Sequence, residues 1–405
     1  MQPNTTQDYK PANDELMTLP RPILFSSLAC TTAPAPAFTA IPQQYEYAFQ
    51  LYEEDGERIN IESHYFRGWL SLDDETQFRF QWLSDAISGS SPTGAQPGGT
   101  QPFYAELDDL RIGIMGAVSR KFGRHTVELE ISRSSEEDYL SRGYALKDVW
   151  ELNEQNTTLT FGLNYLDDTV TVPELGFRNK NTYDVFAGIS QIIDKNTFVT
   201  ANFTLGYADD YLNDPYKVVQ RSGFVQVPDG GGGFISVPVT DIHRENRPDS
   251  RLRQVFQLEG RHYFERVNGA LDAIYRYSHD DFGVNSHTFQ VEWRQAIGGH
   301  LYITPFFRYY RQSEADFFVQ TLDDVPIDEP YGDPSGQGPH YSADYRLSAM
   351  DATSIGLKLR WQINETFSLN AAYELYDMEG RGSDAAPSQA YPDADMWTII
   401  VTAEF

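Results

Sequence analysis

Imidazole and carboxylate groups gather at a few points along the 405-residue chain. His279-Asp280-Asp281, His287, and His340 with nearby Asp344 combine nitrogen and oxygen donors that suit copper, iron or zinc. The same histidines and aspartates beside Ser278, Ser286 or Ser342 have the ingredients of a hydrolase. Asp209, Asp210 and Asp214 offer oxygen alone, the donor that calcium takes. No spacing among these residues is diagnostic. A metal centre, a hydrolytic site and a set of hydrogen bonds tying loops together therefore stay open side by side, the last being the plainest and an enzyme the less expected outcome.

What positions these residues is a period of two that runs nearly without break from Gln44 to the last residue. Phe78, Phe80 and Trp82 alternate with Arg79 and Gln81, and Val127, Leu129 and Ile131 with Glu128 and Glu130. Phe289, Val291 and Trp293 alternate with Gln290, Glu292 and Arg294. At the end of the sequence Trp397, Ile399, Val401, Ala403 and Phe405 share one face, a pattern similar to the C-terminal signal by which outer-membrane barrels reach their assembly machinery. Sixteen such segments are expected, near 44–53, 57–72, 76–88, 104–119, 122–133, 143–150, 156–166, 181–194, 196–208, 251–265, 268–279, 286–297, 299–312, 352–363, 366–378 and 395–405.

Their connections alternate between tight turns and long loops. The long ones are 89–103, 134–142, 167–180, 209–250, 280–285, 313–351 and 379–394, with one short turn at Glu54-Asp55-Gly56 among them. That sorting matches a transmembrane antiparallel up-and-down β-barrel, whose periplasmic turns are short and whose external loops are long. The expected fold is thus all-β, with about 16 strands (14–18 allowed) over residues 41–405 and both termini periplasmic; loops 209–250 and 313–351 are the longest. Within 209–250, Gly223 to Val239 reads as a hairpin with a glycine tip.

On such a frame the acids collect where strands emerge on the long-loop side: Asp85, Asp138, Asp167-Asp168, Asp209-Asp210, Asp214, Asp280-Asp281, Asp316, Asp377 and Glu379. An acidic rim of this kind concentrates cations, holds calcium, or is bridged by divalent ions to lipopolysaccharide. Facing the lumen are expected Arg253, Glu259, Arg261, Asp272, Arg276, Glu292, Arg294, Arg308, Lys358, Arg360 and Glu374. Opposite charges on adjacent strands form cross-strand pairs, and they either line a selective pore or only keep the interior wet.

Composition agrees. Mean hydropathy is -0.49, and no apolar run reaches the roughly 18 residues of a transmembrane helix, whereas a barrel needs only one greasy face per strand. With 25 Tyr and 25 Phe there is material for aromatic girdles. A net charge of -28 argues against nucleic acid, and the one cysteine, Cys30, excludes an intrachain disulfide and a cysteine-built zinc site. Residues 1–40 read as an export signal or disordered extension, with Arg21, a short apolar stretch and Ala35 to Ala37 near a cleavage point.

Six stretches carry a family resemblance: Tyr52 to Arg58, Ser84 to Pro92, Tyr211-Leu-Asn-Asp-Pro-Tyr-Lys217, Arg247-Pro-Asp-Ser-Arg251, Tyr275 to Thr288, and Tyr341-Ser-Ala-Asp-Tyr-Arg-Leu-Ser348. Over residues 44–405 the chain resembles the DUF3570 family of exported bacterial proteins, with residues 1–40 and the glycine-tipped hairpin outside the resemblance. The resemblance implies a link to an envelope redox system with a small periplasmic lipoprotein and a flavin transferase. Three functions follow as expectations: a channel or membrane shell of an envelope complex, a barrel with a metal-binding or hydrolytic mouth, and a scaffold without conductance.

Overall fold

The computed structural model describes residues 43–56, 58–99, 101–323, 325 and 336–405. The export signal expected over 1–40, Cys30 included, lies outside the described residues. The strands are β1 (Gln43–Glu54), β2 (Asn60–Ser71), β3 (Thr76–Pro92), β4 (Tyr104–Phe122), β5 (His125–Ser135), β6 (Tyr139–Leu152), β7 (Thr157–Val172), β8 (Gly176–Asp194), β9 (Thr197–Asp210), β10 (Val218–Pro228), β11 (Phe234–Arg244), β12 (Ser250–Phe264), β13 (Gly269–Asp280), β14 (Asn285–Ile297), β15 (Leu301–Gln312), β16 (Met350–Gln362), β17 (Phe367–Gly380) and β18 (Asp393–Glu404). Sixteen of them close into one antiparallel barrel, each beside its neighbour in sequence, with β9 passing directly to β12 and β1 meeting β18. The seam is tied at its end by Gln43 and Phe405, which exchange backbone hydrogen bonds of 3.1 and 2.8 Å.

Alternation and closure together decide which way each side chain points, because directly opposed residues share a face. Leu129, Ile131, Phe161, Leu163, Val185, Ile355 and Leu375 stand exposed on the outside. Opposed rings of Tyr144, Tyr165, Tyr183 and Tyr207 run as one row across four strands, with Tyr165 and Tyr183 stacked at 5.0 Å. Toward the short-turn end His125 lies on Trp150, Phe264 beside Trp293 and Phe367 beside Phe405. An apolar band between two aromatic rows is the surface that a β-barrel presents to lipid, where every backbone polar group must be paired and only closure leaves no edge.

At the long-loop end the strands outrun the expected boundaries. The 167–180 and 134–142 connections shrink to residues 173–175 and 136–138, because β6, β7 and β8 keep pairing beyond the tyrosine row. Polar cross-strand contacts sustain the ladder there, as in Arg142 donating to Asp167 at 3.1 Å. The glycine-tipped hairpin is β10–β11, a separate two-stranded sheet with Val225 opposite Val237. Its tip is closed by Asp229, whose Oδ1 accepts from the backbone N–H groups of Gly231 and Gly233 at 2.8 Å each.

Candidate functional site at the long-loop end

The long connections fold inward over the mouth. The 93–103 and 211–249 connections start six strands apart, β4 to β9 lying between them, yet Val218 N–H donates to Thr93 O at 2.8 Å and Gln96 N–H to Gln220 Oε1 at 3.0 Å. Gln96 Nε2 also reaches Gln320 O in the 313–349 connection at 3.1 Å, and Gln320 in turn donates to Ala385 O at 2.7 Å. Gly94 permits the approach: its φ is +97°, and a Cβ there would stand 2.4 Å from Val218 O. Val219, Leu322, Tyr341 and Ala343 form a buried apolar cluster between two of these connections. The result is a cap across the lumen.

Its centre is ionic. A short helical turn, Tyr345–Leu347, is capped by Asp344 and projects Arg346, whose guanidinium reaches Asp344 Oδ2 and Asp214 Oδ2 at 2.5 Å each. Arg247 reaches Asp344 Oδ2 at 2.7 Å and lies 2.7 Å from Glu245 Oε1. Ser342 Oγ donates to Glu245 Oε2 at 2.5 Å, and Lys217 Nζ donates to Pro92 O and to Ser91 Oγ. Asp344 is 1% exposed and Glu245 fully buried. Three acids (Asp214, Glu245, Asp344) face three bases (Lys217, Arg247, Arg346), so the buried charge balances. Burial opposes ionisation of Asp344, but Arg346, Lys217 and Arg247 outweigh it and hold the carboxyl well below the usual range. Burial pushes Glu245 up, against the pull of Arg247, and pushes Lys217 down.

The metal and hydrolase candidates are spread over both faces. Asp214 and Asp344 sit in the cap's ionic centre, while Asp209 and Asp210 end β9, the latter accepting from Asn181 at 2.6 Å. His279 and Asp280 are consecutive on β13 and so point to opposite sides. Asp280, 3% exposed, is filled by Arg251 at 2.6 Å and by the N–H groups of Phe282 and Val284. His279 meets Asn285 at 3.0 Å, His287 meets Tyr275 OH at 2.8 Å on the outer surface, and the His340 ring packs edge-on to Phe317. Asp281 accepts from Leu252 N–H at 2.9 Å. Among the described residues, none of these three imidazoles pairs with a carboxylate. Ser342 serves Glu245, and Ser278 and Ser286 lie opposite one another on β13 and β14.

Below the cap, all eleven expected lumen charges fall on the inner face. Lys358 donates to Glu292 across β15 at 2.6 Å, Arg308 to Glu374 across β16 at 3.0 Å, Arg261 pairs with Asp272, and Arg276 holds Gln257 at 2.7 Å. Arg253, Glu259, Arg294 and Arg360 continue the lining. Charges that sequence reasoning did not single out lie on the opposite wall, where Arg79 bridges Glu128 and Glu130 at 3.1 and 2.7 Å. Also missed were Lys217, Glu245, Arg247 and Arg346. A signal was present: the first lies in the Tyr211–Lys217 stretch, the last two in Arg247–Arg251 and Tyr341–Ser348.

The family model described as "Protein of unknown function (DUF3570)" matches residues 22–177 and 173–391. The chain belongs to this family. The match takes in the glycine-tipped hairpin and begins at residue 22, earlier than the expected residue 44, and it ends at residue 391. No curated protein sequence matches the chain. Among solved structures the DUF3570 chain is similar to a bacterial polysaccharide outer membrane secretin (9% identity, 90% of this chain and 98% of that one, TM-score 0.48). It is also similar to the CymD monoaromatic hydrocarbon channel (7%, 91% and 89%, 0.42) and to the outer membrane protein OprD from Pseudomonas aeruginosa (8%, 90% and 93%, 0.42).

Proposed function

We propose that this chain is an outer-membrane conduit held shut by its own loops. The apolar band and aromatic rows support placement in a bilayer, and the sorting of short and long connections supports an orientation with the cap outside and the Gln43–Phe405 seam toward the periplasm. One observation carries the reading: a polar, charged inner wall is overlaid by loops that meet from opposite sides. A wall lined with both signs suits hydrophilic solutes, and in a sixteen-stranded barrel the bore is wide enough to conduct. Closure by folded loops rather than by the wall makes the barrier a segment that can open while the strands stay put.

Planar-bilayer recording tests this. The wild-type barrel should be nearly silent, and Arg346→Ala, which strips the cation from Asp344 and Asp214, should open it at least several-fold. If Arg346→Ala is folded by heat-modifiable gel mobility and equally silent, the barrel is a membrane shell for an envelope complex, such as the redox assembly its family suggests. A wild-type barrel that conducts freely would mean that the loops do not seal it.

A further inference from the structure

Asp109 on β4 and Glu136 and Asp138 on the β5–β6 turn bring one carboxylate oxygen each to within 4.8 Å of one another. Oxygens on one cation at about 2.4 Å can stand no further apart than about 4.8 Å. Acids crowd easily on an acidic rim, but here two of the three each keep a buried oxygen that no hydrogen bond reaches. The Glu136 side chain is only 2% exposed, and its Oε2, like Oδ1 of Asp138, is buried without a hydrogen-bond partner. Arg111, the nearest cation, is committed to Asp85 at 2.5 Å and approaches Glu136 Oε1 only to 3.9 Å. Asp109 is held in place by the N–H groups of Leu110 and Glu137 at 2.7 and 3.3 Å.

We propose that Asp109, Glu136 and Asp138 form a calcium site on the inner wall beside the cap. All three donors are hard oxygens, with neither nitrogen nor sulfur among them, and the irregular arrangement suits a cation that tolerates six to eight ligands, the rest being water. Tyr216 OH donates to Asp138, so the site joins β4 and the β5–β6 turn to the connection that carries Lys217 and Asp214 in the cap. Without a cation, burial and the nearby Asp109, Asp138 and Asp85 push Glu136 up to about 8 despite Arg111. Burial, with Asp109 and Glu137, likewise pushes Asp138 up to about 6 against the Tyr216 hydrogen bond.

Calorimetric titration of the detergent-solubilised full chain with calcium chloride at pH 7.5 reads the binding. One saturable site is expected. Glu136→Gln should weaken binding at least tenfold and Asp109→Asn tenfold, whereas Asp384→Asn, an exposed acid of the 381–392 loop, should leave it unchanged. Absence of a saturable site in the wild type overturns the proposal even if the variants fail to fold. So does binding that folded Glu136→Gln retains, or that Asp384→Asn lowers equally, since calcium would then only gather on an acidic surface. Conductance does not enter this test, so it stands or falls apart from the conduit reading.

Discussion

The cap and the wall beneath it are built from the same ion pairs in different surroundings. In the cap, Asp344 is 1% exposed and held by Arg247 and Arg346 together; on the wall, the side chain of Arg261 is 39% exposed where it meets Asp272. A charge taken out of water is costly unless paired, and removal of one partner strands the other. A charge left wet is screened and its pairing contributes little. The cap's charges therefore hold a structure together, while a wall charge as exposed as Arg261 contributes to the field along the inner face.

The largest consequence concerns Arg346. Arg346→Ala leaves Asp344 and Asp214 buried with their shared cation gone, and breaking a buried pair costs about 3–5 kcal/mol. The loss should be local. Hydrogen exchange over 211–217 and 336–349 should accelerate by two orders of magnitude or more, with the barrel strands unchanged. Uniform acceleration across β1–β18 would show that cap and barrel fold as one unit, and the distinction between the two regions would collapse.

Next in size is the acidic group at their boundary. Glu136 and Asp138 have pKa values of about 8 and about 6, above their ordinary values of 4.5 and 3.8. A fold that raises a carboxyl pKa favours the protonated form, so this stabilisation is complete below about pH 4 and is lost as pH rises through 6 and 8. In calcium-free buffer, intrinsic-rate-corrected protection of residues 136–138 should fall between pH 5 and pH 9. Added calcium should flatten that profile, and a profile that is flat already without calcium would mean the acids are compensated by something else.

The barrel was legible in the sequence because lipid outside and water inside impose a period of two on each strand. All sixteen segments were found for that reason, and parity alone placed Arg294 and Lys358 on the inner face. Strand ends were less legible: Arg142 and Asp167 are both polar, so hydropathy stops while the ladder continues. The cap was legible only in part: loop-tying hydrogen bonds were expected, and Asp214 and Asp344 were named, but not the cations that hold them. Arg346 meets Asp214 across 132 residues and Arg247 meets Asp344 across 97, and no local pattern encodes such pairings. Proximity in sequence misled in the other direction for His279 and Asp280, which a strand sends to opposite faces.

The smallest effect is expected on the wall, and its smallness is the point. Arg261 pairs with Asp272 directly across β12 and β13, in the geometry that makes cross-strand charges attract. Because Arg261 is 39% exposed and the double change leaves neither charge stranded, removing both by Arg261→Ala and Asp272→Ala should cost no more than about 1 kcal/mol. Denaturant unfolding in detergent would read this as a midpoint nearly equal to that of the wild type, while the single Arg261→Ala variant should make the bore, once the cap is opened, more cation-selective by exposing Asp272 and Glu259. A double variant that loses several kcal/mol would place the wall in the same category as the cap, as a packed interior rather than the lining of a conduit.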